Sequence, residues 1–171
     1  MYTSVLTGQE EPIKIEVGLR ERLLRKPVIA NAATALINPI SNSPMVRPVF
    51  IRCIATLEAY AEKLRAALSR RDVAIRDFFD IDHALRNDLL ELEDDVLVRM
   101  VGNKLAVVGN EAVDVSPDRL EALRRQVEPQ LRPVLRPVDF DAFDLDRSFE
   151  AVAELASRIG GENRGHRGFA R

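Results

Sequence analysis

Residues 61 to 82 read AEKLRAALSRRDVAIRDFFDID, with one lysine, Lys63, inside a helical pattern and three aspartates, Asp77, Asp80 and Asp82, in the next. A lysine ammonium is a compact charge suited to nucleotide phosphates, and carboxylates on a neighbouring element can orient it or bind a divalent metal. The same layout also suits a solvated face on which Glu62, Lys63, Arg65, Arg70 and Arg71 pair three or four residues apart. Spacing alone leaves both readings open. Asp82 differs from its neighbours, because it falls on the apolar side with Ile75. A carboxylate there requires a partner, and Arg86, one turn on, supplies an ion pair.

The elements that must position these side chains follow from periodicity. At about 100° per residue, Leu57, Tyr60, Ala61, Leu64 and Leu68 form one helical stripe, with Thr56 as its N-cap and Arg70 as its end. Lys63 lies about a quarter turn from the centre of that stripe, so its stem packs while its ammonium reaches a cleft. A second helix begins near Arg71-Asp72 and runs to about Leu85, with Ile75, Phe78 and Phe79 inward and Asp77 and Asp80 on the opposite face. The spacing predicts a third helix over 88–101, stopped by Gly102-Asn103. Residues 104 to 115 fit either a small hairpin or a helix tail. Ser116-Pro117 is an N-cap followed by proline at the first helical position, opening a helix with Leu120, Leu123 and Val127 that Pro129 or Pro133 ends. A last amphipathic helix spans 144–159 and stops at Gly160-Gly161.

Upstream, Ile13, Ile15 and Val17 alternate with Lys14 and Glu16, the period of a half-buried strand. Glu16 is there a surface residue or a site carboxylate. Residues 28–30 and 35–37 suggest short strands or turns between prolines, and VFIRCIA, residues 49–55, reads as a second buried strand with Pro48 at its edge. The order is a β-rich front (residues 1–55), a helical part (56–160) and a basic, disordered tail (161–171), which predicts the α+β class.

Composition narrows the possibilities. With 46% hydrophobic and 30% charged residues the chain is globular, and with 5% aromatics its core is aliphatic. A net charge of −2 excludes general basicity, so any RNA or nucleotide contact needs a local basic patch. Two histidines and one cysteine cannot build a Cys/His zinc centre or an internal disulfide. Cys53 reads as a small buried hydrophobe, His83 as a surface or pocket-edge residue, and the arginines of the tail as solubilising. No apolar run approaches the ~20 residues that span a bilayer, and the start lacks the regions of a secretory signal. The expected location is cytoplasmic.

The stretch AEKLRAALSRRDVAIRDFFDID, with LRERLLRKP (residues 19–27) and the IKIEV strand upstream, resembles the nucleotidyltransferase-like toxins of the AbiEii/AbiGii family. That resemblance covers about residues 10 to 90. It implies the toxin of a bacterial toxin–antitoxin or phage-defence pair, on a fold related to polymerase-β-type nucleotidyltransferases: a mixed β-sheet followed by a helical C-terminal bundle. Carried over by position, Lys63 matches the motif lysine, Arg76 and Asp77 the Arg-Asp pair, and Asp80 the second acidic position. The implied roles are catalytic for Lys63, Asp77 and Asp80, nucleotide-binding for Lys63 and Arg76, and metal-binding for Glu16. The implied cofactor is Mg²⁺, the substrate an NTP, the acceptor tRNA or another RNA, and the partner a cognate antitoxin.

The family pattern begins with Gly-Ser and an Asp-x-Asp pair on a strand, which hold the metal ions. Neither precedes IKIEV here; the Asp-x-Asp patterns at 80–82, 139–141 and 144–146 come later. The expectation is a family member lacking its N-terminal portion. Its IKIEV strand then presents an open edge for a second copy or a complementing chain. The alternative is a catalytically inactive homologue that binds an antitoxin or partner chain as an interaction module.

Overall fold

The computed structural model describes residues 1–3, 8–12, 21–34 and 36–166. Among these, the front holds two antiparallel strand pairs. The short strands β1 (Tyr2–Thr3) and β2 (Glu10–Glu11) pair with each other, as do β3 (Val28–Ala32) and β4 (Val49–Cys53). In the second pair Val28 lies opposite Cys53, Ala30 opposite Ile51 and Ala32 opposite Val49. The IKIEV segment and Glu16 lie outside the described residues. β4 is a strand, as its apolar run predicts, but it is not buried: Val49, Phe50 and Ile51 are all exposed. These residues are consecutive, so apolar side chains stand on both faces of the hairpin.

Six helices follow: α1 (Thr56–Ser69), α2 (Ile75–Arg86), α3 (Asp95–Leu105), α4 (Pro117–Gln126), α5 (Pro137–Ala142) and α6 (Leu145–His166). The architecture is therefore α+β. α1 starts at the predicted place, although Ala55 occupies the N-cap position with extended backbone and Thr56 is the first helical residue. α2 starts later than Arg71-Asp72, because Gln126 fixes its entry. The Gln126 amide accepts from the Ile75 N–H at 3.0 Å and donates to the Val73 carbonyl at 3.0 Å.

α3 is displaced from the predicted 88–101. Asp94 is its N-cap, its carboxylate accepting from the Val96 N–H at 2.7 Å, so residues 88–94 stay in turns. Gly102 and Asn103 do not stop it, and α6 passes over Gly102 with Ile159 at ordinary van der Waals distance from where a Cβ would stand, 3.9 Å. Ser116 caps α4 as predicted, accepting from the Arg119 N–H at 3.3 Å, and Pro117 opens the helix. A π turn over Val127–Leu131 carries Pro129. α6 passes through Gly160-Gly161, the predicted stop, to His166.

The core lies among α1, α2, α3 and α6, where Leu64, Leu68, Ile75, Phe78, Val101 and Leu155 are almost wholly shielded. Burying each such side chain contributes about 1.5–3 kcal/mol. Phe78 stacks on Phe149 of α6 with ring centroids 6.0 Å apart. α1 thus packs against three helices, and the flank that carries Lys63 and Arg70 faces outward.

Candidate functional site

α1 and α2 run past each other so that Lys63 meets the acidic face of α2. Its Nζ lies 2.6 Å from an Asp80 carboxylate oxygen and 3.2 Å from Asp77 Oδ1. The second oxygen of Asp77 accepts from Arg70 Nη1 at 3.2 Å. The result is an alternating chain Asp80, Lys63, Asp77, Arg70. Asp77 is the enclosed member, with its side chain 6% exposed, whereas Lys63, Asp80 and Arg70 are half exposed. Partial burial works against the Lys63 ammonium, but the Asp80 hydrogen bond and the charges of Asp80 and Asp77 outweigh it and hold its pKa above the ordinary value.

Lys63, Asp77 and Arg70 form one wall of an open cleft of about 980 Å³, lined also by Glu62, Arg65, Arg71, Arg76, Asn110 and Glu111, while Asp80 stands behind Lys63 and outside that lining. Arg76 is exposed there and has no ion pair among the described residues. Arg71 donates to Glu111 at 2.8 Å. Arg65 bonds Glu62 at 2.6 Å and Asn110 Oδ1 at 3.0 Å. The lining of the cleft carries Lys63, Arg65, Arg70, Arg71 and Arg76 against Glu62, Asp77 and Glu111, a local basic patch on a chain of net charge −2.

The opposite wall is built by the loop after α3. Gly109 takes a φ of +96°, a turn that glycine adopts without steric cost. Asn110 then donates to the carbonyls of Lys104, Leu105 and Val107 at 2.7, 3.1 and 3.0 Å, which closes the turn. This segment is the end of a helix followed by a turn, and it forms no hairpin strand.

Of the site residues expected from the sequence, Lys63, Asp77 and Asp80 are brought into contact, Arg76 lines the same cleft, and Glu16 lies outside the described residues. Asp77 and Asp80 do face away from the Phe78 side, yet the face is not solvent: Asp77 is buried against α1. Asp82 pairs with Arg86 at 2.9 Å as expected, and also with Arg147 of α6 at 2.6 Å. Neither partner belongs to the cleft.

Sequence reasoning missed Lys104, which is nearly fully buried and lies 3.3 Å from Glu58, 3.4 Å from Glu21 and 3.6 Å from Glu62. Glu58 in turn accepts from the N–H groups of Leu24 and Arg25, both at 2.8 Å, and so ties the chain ahead of β3 to α1. Burial opposes the Glu58 carboxylate, but those two backbone donors and Lys104 together hold its pKa below the usual value. The readable signal for Lys104 is its position on the stripe Leu97, Val101, Lys104 at helical spacing.

A family model described as "Nucleotidyl transferase AbiEii toxin, Type IV TA system" matches residues 1–155. The chain belongs to the AbiEii nucleotidyl transferase toxin family. No curated protein and no solved structure matches it. Lys63, Asp77 and Asp80 lie inside the matched region, as do the loop and helices that hold them. Membership in a toxin–antitoxin family implies an antitoxin partner, and nucleotidyl transfer draws on an NTP and generally on a divalent metal. No described helix is long and apolar enough to cross a membrane.

Among the described residues no group of three His, Cys, Asp or Glu side chains is placed to hold a metal ion, and Asp77 and Asp80 are both committed to Lys63. The described residues do not by themselves fit a metal ion.

Proposed function

We propose that this AbiEii-family chain is a toxin that transfers nucleotides from an NTP to an RNA acceptor, tRNA being the acceptor we favour, in the cytoplasm. The observation that carries the reading is the convergence of Lys63 from α1 with Asp77 and Asp80 from α2, with Lys63 and Asp77 lining a basic cleft. In this scheme Lys63 is the charge that meets the triphosphate, and Arg76, exposed and without an acidic partner among the described residues, adds a planar fork suited to phosphate oxygens. Asp77, enclosed and held by two cations, sets the Lys63 ammonium in place. Asp80 braces it from the open side and can exchange its contact for one to the ligand.

The test is calorimetry with ATP, GTP, CTP and UTP on the wild type and on Lys63→Ala, followed by incorporation of labelled nucleotide into total RNA. Binding that disappears in Lys63→Ala, with label in RNA, supports the assignment; a wild type that binds none of the four overturns it.

A second reading is favoured by the exposed apolar residues of β3 and β4, Ile29 at 65% and Phe50 at 78%. A two-stranded hairpin with apolar faces is marginal alone. In this reading the chain is an interaction module that presents the hairpin to an antitoxin or partner chain. Phe50→Asp losing capture of the co-expressed antitoxin, with NTP binding intact, is the outcome it expects.

A further inference from the structure

The last four carbonyls of a helix have no partner within it. In α1 and its cap those at residues 67 to 70 are all satisfied from one later segment. The N–H of Asp114 donates to Leu68 at 2.9 Å and that of Glu111 to Ser69 at 3.3 Å. Arg119 Nη2 donates to Ala67 at 2.9 Å and to Arg70 at 3.0 Å. The Arg70 N–H also bonds Ala66 at 3.1 Å, so the Arg70 backbone is fixed at both its donor and its acceptor.

Arg119 is a costly way to do this. Its side chain is 5% exposed, its nearest carboxylate oxygen, on Asp114, is 3.8 Å away, and its Nε is buried without a hydrogen-bond partner. Burial pushes its pKa down. A buried guanidinium so poorly paired adds little stability; what it does is fix the place where α1 ends.

What that fixes is Arg70. Seven residues after Lys63 is nearly two full turns, so Lys63 and Arg70 project from the same face of α1, about 10 Å apart along its axis. Both flank Asp77, and both line the cleft. Arg70 spends Nη1 on Asp77 and leaves the rest of its five-donor fork for a ligand, with a side chain 43% exposed.

We propose that Arg70 is a second phosphate-binding side chain of the cleft, taking the polyphosphate of a nucleoside triphosphate alongside Lys63, and that Arg119 is the positioning residue that sets it. This rests on the nucleotidyl transferase reading above. It adds a residue outside the sequence-matched set and a reason for the buried arginine.

The experiment is calorimetry with the NTP that binds best, at two salt concentrations, on the full chain as wild type, Arg70→Ala, Arg70→Lys, Arg119→Lys and Arg70→Ala/Arg119→Lys. Loss of one charge-assisted fork weakens binding roughly tenfold. Arg70→Ala is expected to show that loss with a shallower salt dependence, and Arg70→Lys to recover the salt dependence but only part of the affinity. Arg119→Lys is expected to weaken binding through Arg70, so the double variant is no weaker than Arg70→Ala. Wild-type binding with Arg70→Ala within twofold of it overturns the role of Arg70 while leaving the function reading intact. Additive losses in the double variant overturn the positioning role of Arg119. A wild type that binds no NTP overturns this inference and the function reading together.

Discussion

Lys63 and Asp80 sit 2.6 Å apart across the junction of α1 and α2, while the same ammonium holds Asp77 at 3.2 Å. One cation thus faces two carboxylates, and its folded-state pKa is raised above the ordinary 10.5. A raised folded-state pKa gives stability that is fully present below the unfolded value and is lost as pH rises through the folded one. Urea unfolding of the wild type and Lys63→Met is therefore expected to differ at neutral pH and to converge above about pH 10.5. A constant gap across that range would mean the lysine contributes packing rather than charge.

Asp80 and Asp82 are two residues apart and do different work. Asp82 is fully buried between Arg86 of its own helix and Arg147, which joins α2 to α6, whereas Asp80 is half exposed and bonds the cleft residue Lys63. Asp82→Ala leaves two partly exposed arginines without their shared partner and is expected to lower stability by about 1–3 kcal/mol with unchanged NTP affinity per folded molecule. Asp80→Asn is expected to do the reverse, with a thermal midpoint close to wild type and altered NTP binding. Urea titration and calorimetry on the same two preparations decide it.

Much of this site was legible because its signals are local. Lys63, Asp77 and Asp80 sit on two strongly periodic helices, and the Ser116-Pro117 start of α4 is a chemical signature that context rarely overrides. What was not legible depends on distant packing. Gly102 reads as a stop until α6 lies across it, and the start of α2 is set by Gln126, about 50 residues away in the chain. Arg119 drew no reading from the sequence, because only the fold brings the end of α1 to it. β4 misled in the other direction: an apolar run is evidence of burial only if something covers it.

Lys104 is the cation for Glu21, Glu58 and Glu62, with Glu58 fully buried. Lys104→Met leaves that carboxylate with its two backbone donors but no counter-charge, and is expected to cost about 3–5 kcal/mol in urea unfolding at neutral pH. Glu58 has a depressed folded-state pKa, so its contribution is present above the unfolded value of 4.5 and is lost as pH falls through the folded one. The gap between wild type and Glu58→Gln is therefore expected to shrink below about pH 4.5. Adding Glu58→Gln to Lys104→Met should recover part of the loss; a double variant as unstable as the sum of the singles would place the two residues in separate interactions.

Gly160 and Gly161 lie inside α6, and neither a left-handed backbone nor a nearby atom requires glycine at either position. A glycine in a helix interior costs about 0.8–1.0 kcal/mol relative to alanine, chiefly through the freedom it keeps in the unfolded chain. Gly160→Ala and Gly161→Ala are each expected to raise stability by up to about 1 kcal/mol, with a parallel gain in helical circular dichroism at the C-terminal end. Both sites are distant from Lys63 in the chain, so NTP affinity should not change. If either alanine destabilises the protein, the helix must end where the glycine pair marks it, and α6 is shorter in solution than Leu145–His166.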